Sequence, residues 1–131
     1  MGAWGSGPFE NDYAEDLLER VGQRGIDVID AVLRDALANE EYLGLEEGSQ
    51  VLAAAELIAM ANHTVRDAFP PDIQTWLYES ANSLAQRRSL AKQAVRRVAT
   101  PQHSEAAEIW LDGPFAGEWS ARVHGLIERL C

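Results

Sequence analysis

The segment that most constrains the fold is Val51–Ala61, VLAAAELIAMA, in which every position but one is apolar. Ala and Leu are strong helix formers, and few residues of the run are β-branched, so a helix is favoured over a strand. Apolar residues would cover every face, as is typical of a helix in a protein core. The run is shorter than the roughly 20 residues of a membrane span. We therefore predict a central buried helix, with Ser49 as N-cap and Asn62 at its C-terminal end.

Glu56 is the exception within this apolar run. A buried carboxylate is costly unless it is paired, hydrogen-bonded or protonated. It can serve as a structural group that caps backbone or pairs with an Arg, or as a site carboxylate in a cleft. A third possibility is that the face of the helix that carries Glu56 is exposed to solvent.

Helical spacing of apolar residues recurs along most of the chain, and strand-like alternation does not. The pattern predicts a compact, single-domain, all-α bundle of six or seven helices, since 131 residues fit one domain. The further predicted helices run from Asp12 to the glycines Gly22 and Gly25, from Asp27 or Gly25 to about Asn39, from about Asp72, over roughly Ala85–Ala99, from Ser104 to Leu111, and from Phe115 onward. Phe115 is expected on the inward face of the last of these.

Residues 1–11, MGAWGSGPFEN, form a Gly-rich segment that carries two large aromatic residues. Trp4 and Phe9 are too apolar for a free tail, so we expect this arm to fold back and insert both rings into the helical body. Trp76, Trp110 and Trp119 are likewise expected to act as structural anchors in the core.

The net charge is −10, and it is unevenly distributed. Residues 1–56 hold thirteen acids and three Arg, whereas residues 57–131 hold eight acids and eight bases. Non-specific binding of nucleic acid is therefore not expected, while an acidic face for a basic protein partner is allowed. Arg88, Lys92 and Arg96 form a basic stripe at helical spacing, flanked by Arg87 and Arg97. We expect this stripe to face solvent or the acidic first half.

The carboxylates Glu10, Asp12 and Glu56, together with Asn11, are the one set considered for chemistry. If the arm packs on the central helix, these hard oxygen groups could meet and hold a divalent cation. The simpler interpretation is that Asn and Asp beside a helix start act as caps. The three His show no metal-ligand spacing, and the sequence implies no cofactor.

The only cysteine is Cys131, and no basic and apolar leader pattern is visible at the start. Ten Arg against one Lys, with abundant Ala, indicates a GC-rich bacterial genome. These features lead us to expect a cytoplasmic bacterial protein that does not enter a membrane.

The opening Trp4-Gly5-Ser6-Gly7-Pro8-Phe9-Glu10-Asn11-Asp12 resembles the start of an uncharacterised bacterial family, domain of unknown function 4259. Members similarly begin with a Trp-Gly-x-Gly-x-Phe-Glu-Asn-Asp signature. The segment 53–56 and the late Trp110 and Trp119 resemble later landmarks, so the resemblance covers most of the chain. It implies a small soluble protein of about this length and no particular activity.

The leading functional hypothesis is a non-enzymatic protein-interaction module, of an immunity-like or regulatory kind. The alternative is a small-ligand or divalent-metal-binding protein, or an enzyme, that uses Glu56 and the carboxylates of residues 10–12. A pocket lined by these groups would favour the alternative, and their use as caps would favour the interaction protein.

Overall fold

The helical content matches the predicted class, and the number of helices is higher than predicted. A computed structural model describes residues 11–39, 41–61 and 71–131, and within these ranges the fold is all-α with eight helices. They are α1 (Asp12–Arg24), α2 (Ile26–Ala38), α3 (Leu45–Met60), α4 (Pro71–Glu79), α5 (Ala81–Ala85), α6 (Arg88–Val98), α7 (Glu105–Leu111) and α8 (Ala116–Arg129). The count exceeds six or seven because residues 71–98 form three helices where the pattern predicted two. The predictions for Trp4, Phe9, Glu10 and Asn62 lie outside the described residues.

The central helix, α3, begins earlier than the sequence pattern indicated. Gly44 is the N-cap, and its backbone N–H donates to Glu47 Oε1 at 3.1 Å. This return contact from the third helical position is half of a capping box, and it supports a helix start at Leu45. Ser49 was the predicted N-cap, and that boundary is wrong, because Ser49 lies buried inside the helix.

All residues from Gly48 to Ala59 are buried, as expected for a helix that is apolar on every face. α3 packs against α1, α2, α5, α6, α7 and α8, while α4 packs against α1 and α5. Every helix contributes to one core, with buried members that include Leu17, Leu33, Leu57, Leu77, Leu84, Val95, Ala106 and Val123. No helix in the described ranges is long and apolar enough to cross a membrane.

Two short-range features join α1 to its surroundings. The Asn11 side chain accepts the backbone N–H of Ala14 at 2.8 Å and so caps the start of α1. At the other end a single residue, Gly25, separates α1 from α2 with φ of +70°. Glycine adopts this left-handed φ without the Cβ penalty of other residues, which allows so short a turn.

α3 lies close to the α6–α7 region at Gly48. A Cβ at this position would lie 3.2 Å from Ala106 Cβ and 3.4 Å from Val98 Cγ1. Gly22, in the exposed part of α1, has no atom within 4 Å of the corresponding position. The absence of a side chain at residue 48 therefore sets the spacing of the helices.

We predict that Gly48→Val destabilises the fold by about 1–3 kcal/mol, because its methyl groups would overpack a closed contact. The matched control Gly22→Val should leave stability within about 0.5 kcal/mol, since helix propensity differs little and the space is open. Urea denaturation of both variants measures the effect. Equal stability of the two variants would contradict the packing argument.

Candidate functional site

Glu56 forms a two-point ion pair with Arg129, which lies at the end of α8. Arg129 Nη1 donates to Glu56 Oε1 at 2.5 Å, and Nη2 donates to Oε2 at 3.0 Å. The Glu56 side chain is 9% exposed, while that of Arg129 is 38% exposed and reaches in from the surface. Planar guanidinium and carboxylate groups are complementary in this geometry. The buried charge of α3 is thus partnered by a residue 73 positions later.

This pair raises the pKa of Arg129, chiefly through its hydrogen bonds to Glu56. Removing one member of a buried pair leaves the other charge poorly compensated, which is more costly than the pair itself is stabilising. Because the Arg129 side chain is partly exposed, it can be solvated when Glu56 is lost. We therefore expect a loss of stability at the lower end of the range for broken buried ion pairs. The contact therefore anchors α8 to the central helix.

The other candidate site residues lie at the start of α1. Asn11 is buried and used as the N-cap, whereas Asp12 is exposed in the first turn. No hydrogen bond described for either residue reaches Glu56, and Glu10 lies outside the described residues. Among the residues that the structure covers, no group of three or more His, Cys, Asp or Glu is placed to hold a metal ion.

A polar network between α1 and α3 was not predicted. Gln50 is buried, and its amide donates to the backbone oxygen of Tyr13 at 3.2 Å. Arg20 Nη2 donates to Gln50 Oε1 at 2.9 Å. Gln50 directly precedes the apolar run. This position could have indicated the network, because a polar side chain on a buried helix needs a hydrogen-bond partner.

Two cations that flank the basic stripe bind the first half of the chain. Arg87 Nε donates to Asp30 Oδ1 at 2.6 Å and Nη2 donates to Asp30 Oδ2 at 3.0 Å. The hydrogen bonds from Arg87 lower the pKa of Asp30 and raise the pKa of Arg87. Arg97 donates to the backbone oxygens of Asn39 and Glu41, the latter at 2.8 Å. Both contacts hold α6 against α2 and the segment that follows it.

Two open grooves lie on the surface. One, of about 370 Å³, lies between α1 and α4 and is lined by Leu18, Glu19, Gly22, Gln23, Asp72 and Ile73. The other, of about 480 Å³, lies between α2 and α6 and is lined by Arg34, Gln86, Arg87, Ser89, Leu90 and Gln93. Neither lining includes Asn11, Asp12 or Glu56, so these three described residues do not line either groove.

The connection between α7 and α8 exposes large apolar side chains. Ile109 is 47% exposed, Leu111 is 39% exposed and Phe115 is 49% exposed. The rings of Trp110 and Phe115 pack at a tilt, with centroids 6.4 Å apart. We name these four residues the apolar corner. Phe115 was expected to point inward, and that expectation is wrong, because Phe115 precedes α8 as its N-cap.

Sequence reasoning missed the apolar corner, although a signal was present. Residues 109–111 are three consecutive apolar positions in a helix, and together they span about 200° of its circumference. A helix that packs on one side cannot bury all three. The packed side of α7 is taken by Ala106 and Ala107, which are fully buried.

The segment between α2 and α3 lies beside the start of α7. Leu43 N–H donates to the His103 oxygen at 2.8 Å, and Glu105 N–H donates to the Leu43 oxygen at 2.9 Å. The Tyr42 hydroxyl donates to Glu108 Oε2, and this contact raises the pKa of Tyr42 to about 12. Residues 41–47 therefore form one surface with α7.

This surface is acidic. Residues 41–47 and 103–118 contain no Lys or Arg. Their carboxylates, which we name the acidic rim, are Glu41, Glu46, Glu47, Glu105, Glu108, Asp112 and Glu118. Arg122 forms an ion pair with Glu118 at 3.0 Å, and Arg97 donates a hydrogen bond to the backbone oxygen of Glu41. Seven carboxylates thus lie on the two segments that the Leu43 and Tyr42 contacts join, and four of them, in residues 103–118, precede, interrupt or follow the apolar corner along the chain.

The proposed tryptophan anchors differ in burial. Trp119 is 4% exposed, while Trp76 and Trp110 are half-buried and pack against the core. Each therefore contacts the hydrophobic core, and Trp110 also presents part of its ring at the apolar corner.

We predict that Glu56→Gln lowers the free energy of unfolding by about 1–3 kcal/mol, because a buried charge-assisted contact is lost. The matched control Glu118→Gln disturbs the exposed pair with Arg122 and should cost less than about 0.5 kcal/mol. Urea denaturation of both variants at neutral pH tests this. A Glu56→Gln protein as stable as the wild type would overturn the structural role.

We predict that the stabilisation from Asp30 depends on pH. Because the pKa of Asp30 is lowered from 3.8, its contribution is fully present above pH 3.8 and is lost as the pH falls through the folded-state pKa. Asp30→Asn should therefore be less stable than wild type by about 1 kcal/mol near neutral pH, and the gap should shrink in acid. Arg87→Gln should show the same convergence with wild type, since it removes the cause of the shift. A pH-independent gap in urea denaturation would contradict this.

Comparison with known proteins places the chain in a family. No curated protein and no solved structure matches the chain. The family model described as domain of unknown function (DUF4259) matches residues 2–122, which is most of the 131-residue chain. The match includes the Trp-Gly signature near the start, the central α3 and the first half of α8. This protein therefore belongs to the DUF4259 family, as the opening signature predicted.

Proposed function

We propose that this protein is a non-enzymatic protein-interaction module that binds its partner through the apolar corner. The observation that carries the proposal is the exposure of Ile109, Leu111 and Phe115 within seven residues of one another. Single exposed apolar residues are common on any surface, whereas several in one short connection, with the Trp110 and Phe115 rings in contact, favour an interaction site. Aromatic side chains such as those of Trp110 and Phe115 are enriched at such sites.

The geometry supports this function over a ligand-binding or catalytic role for the candidate carboxylates. Asn11 accepts a helix N-terminal N–H, and both oxygens of Glu56 accept hydrogen bonds from Arg129. A group engaged in this way has to break a structural contact before it can bind a ligand. The alternative would need Glu10 and Asp12 to assemble a site without these two residues.

An immunity-like or regulatory role in the bacterial cytoplasm is the form of interaction we propose. Small modules of this kind act by covering a surface of another protein, which requires an exposed apolar centre with a polar surround. The apolar corner is exposed, and carboxylates of the acidic rim precede and follow it along the chain. The same carboxylates would repel nucleic acid, so the partner we propose is a protein.

We predict that the Leu111→Ser/Phe115→Ser protein fails to retain a partner that the wild-type protein retains from a lysate of its source organism. Truncation of central apolar anchors commonly costs 2 kcal/mol or more, which is an affinity loss of about thirtyfold. Affinity capture followed by mass spectrometry measures retention.

The matched control is Tyr78→Ser, because Tyr78 is 76% exposed on α4 and lies outside the apolar corner. This control should retain the same partner as wild type. Circular dichroism and thermal melting should show that all three proteins fold alike. If every protein retained by wild type is also retained by the double variant, the proposed function is wrong.

A further inference from the structure

The acidic rim determines which partner suits the apolar corner. Resting on the function proposed above, we infer that the partner is a basic protein surface, in which Lys and Arg side chains surround exposed apolar ones. The inference concerns the chemical class of the partner. It combines two independent features of the same surface, namely apolar exposure and a one-sided charge distribution.

Hydrogen bonds join the residues 41–47 part of the rim to α7, the helix that carries most of the apolar corner. Leu43 forms backbone hydrogen bonds with His103 and Glu105, and Leu45 N–H donates to Glu105 Oε1 at 2.9 Å. The Tyr42 hydroxyl contact with Glu108 connects the same segment to the middle of α7. Ile109 and Leu111 follow directly in the chain. Glu105, Glu108 and Asp112 therefore lie within a few residues of Ile109 and Leu111, and residues 41–47 lie beside the start and middle of the same helix.

Most of the negative charge on this surface is not neutralised by an ion pair among the described residues. Glu41, Glu46, Glu108 and Asp112 are exposed, and none of them forms an ion pair with Lys or Arg within the described residues. Glu118 is the rim member paired with a cation, Arg122. Complementary charge at the edge of an interface accelerates association and selects partners.

The exposed rings add a second reason for a basic partner. Tyr42 is 42% exposed and Phe115 is 49% exposed. Arg and Lys side chains stack on aromatic faces, and a guanidinium also bridges carboxylates in two-point contacts. A surface that presents rings and carboxylates together is thus suited to Arg-rich and Lys-rich segments.

A second copy of this chain fits the same surface poorly. Two apolar corners that meet face to face would bring two acidic rims together, and the whole chain already carries a net charge of −10. Like charges that oppose one another at an interface are unfavourable. Self-association is therefore an outcome of the experiment that would count against the inference.

The probe is a synthetic amphipathic peptide of about four helical turns, with Leu and Phe on one face and Lys on the other. A control peptide carries Glu in place of each Lys. Isothermal titration calorimetry at about 50 mM and about 200 mM salt measures the dissociation constants. The wild-type protein should bind the Lys peptide, more weakly at the higher salt, and should not bind the Glu peptide.

Paired charge reversals localise the binding. Glu41→Lys/Asp112→Lys should raise the dissociation constant about tenfold, because it reverses two charges of the acidic rim. The matched control Glu19→Lys/Glu79→Lys makes the same change in net charge at exposed positions on α1 and α4. It should change the dissociation constant by less than about twofold.

Several results would overturn the inference. Equal weakening by both double variants would mean that the peptide responds to net charge and not to this surface. A dimer that dissociates in Phe115→Ser, seen by sedimentation equilibrium, would make a second copy the occupant. If the Lys peptide does not bind while capture from lysate still depends on Phe115, the basic-partner inference fails and the interaction function stands. Loss of the Phe115 dependence in capture would instead remove the proposed function itself.

Discussion

A charge inside the central helix is the constraint around which the rest of the structure is arranged. α3 is buried from Gly48 to Ala59, so each of its faces must be covered by another helix. Glu56 lies in this stretch, and an isolated buried carboxylate would be strongly unfavourable. Arg129 compensates this charge, because its guanidinium donates hydrogen bonds to both oxygens of Glu56. The Arg129 side chain itself stays partly exposed to solvent. The position of α8 is therefore coupled to the electrostatics of α3.

The sequence predicts the helices and their caps better than it predicts contacts between residues that are far apart in the chain. The helical class, the boundary of α2 at Asn39 and the Ser104 cap of α7 follow from spacing and capping chemistry, and the structure has them. The need for a partner at Glu56 also follows from the sequence. The identity of that partner does not, because nothing in local periodicity distinguishes Arg129 from the other Arg residues.

Other differences have local causes that a pattern does not resolve. Ser49 is a better N-cap by type than Gly44, yet the side chain of Glu47 satisfies the Gly44 N–H and moves the start of α3 forward. Phe115 has the right spacing for the inward face of α8 and still lies outside, since the helix begins after it. For the candidate site, the sequence identified Asn11 and Glu56 as polar residues that need partners. It did not identify the apolar corner, because exposure depends on which neighbours cover a helix.

The separation between Glu56 and Arg129 has a consequence for the growing chain. Arg129 is synthesised 73 residues after Glu56, which takes about 4 to 15 seconds at ordinary elongation rates. Throughout that interval the segment that becomes α3 carries a carboxylate without its native counter-charge. Glu56 can therefore be buried beside its native counter-charge only after the ribosome has added Arg129.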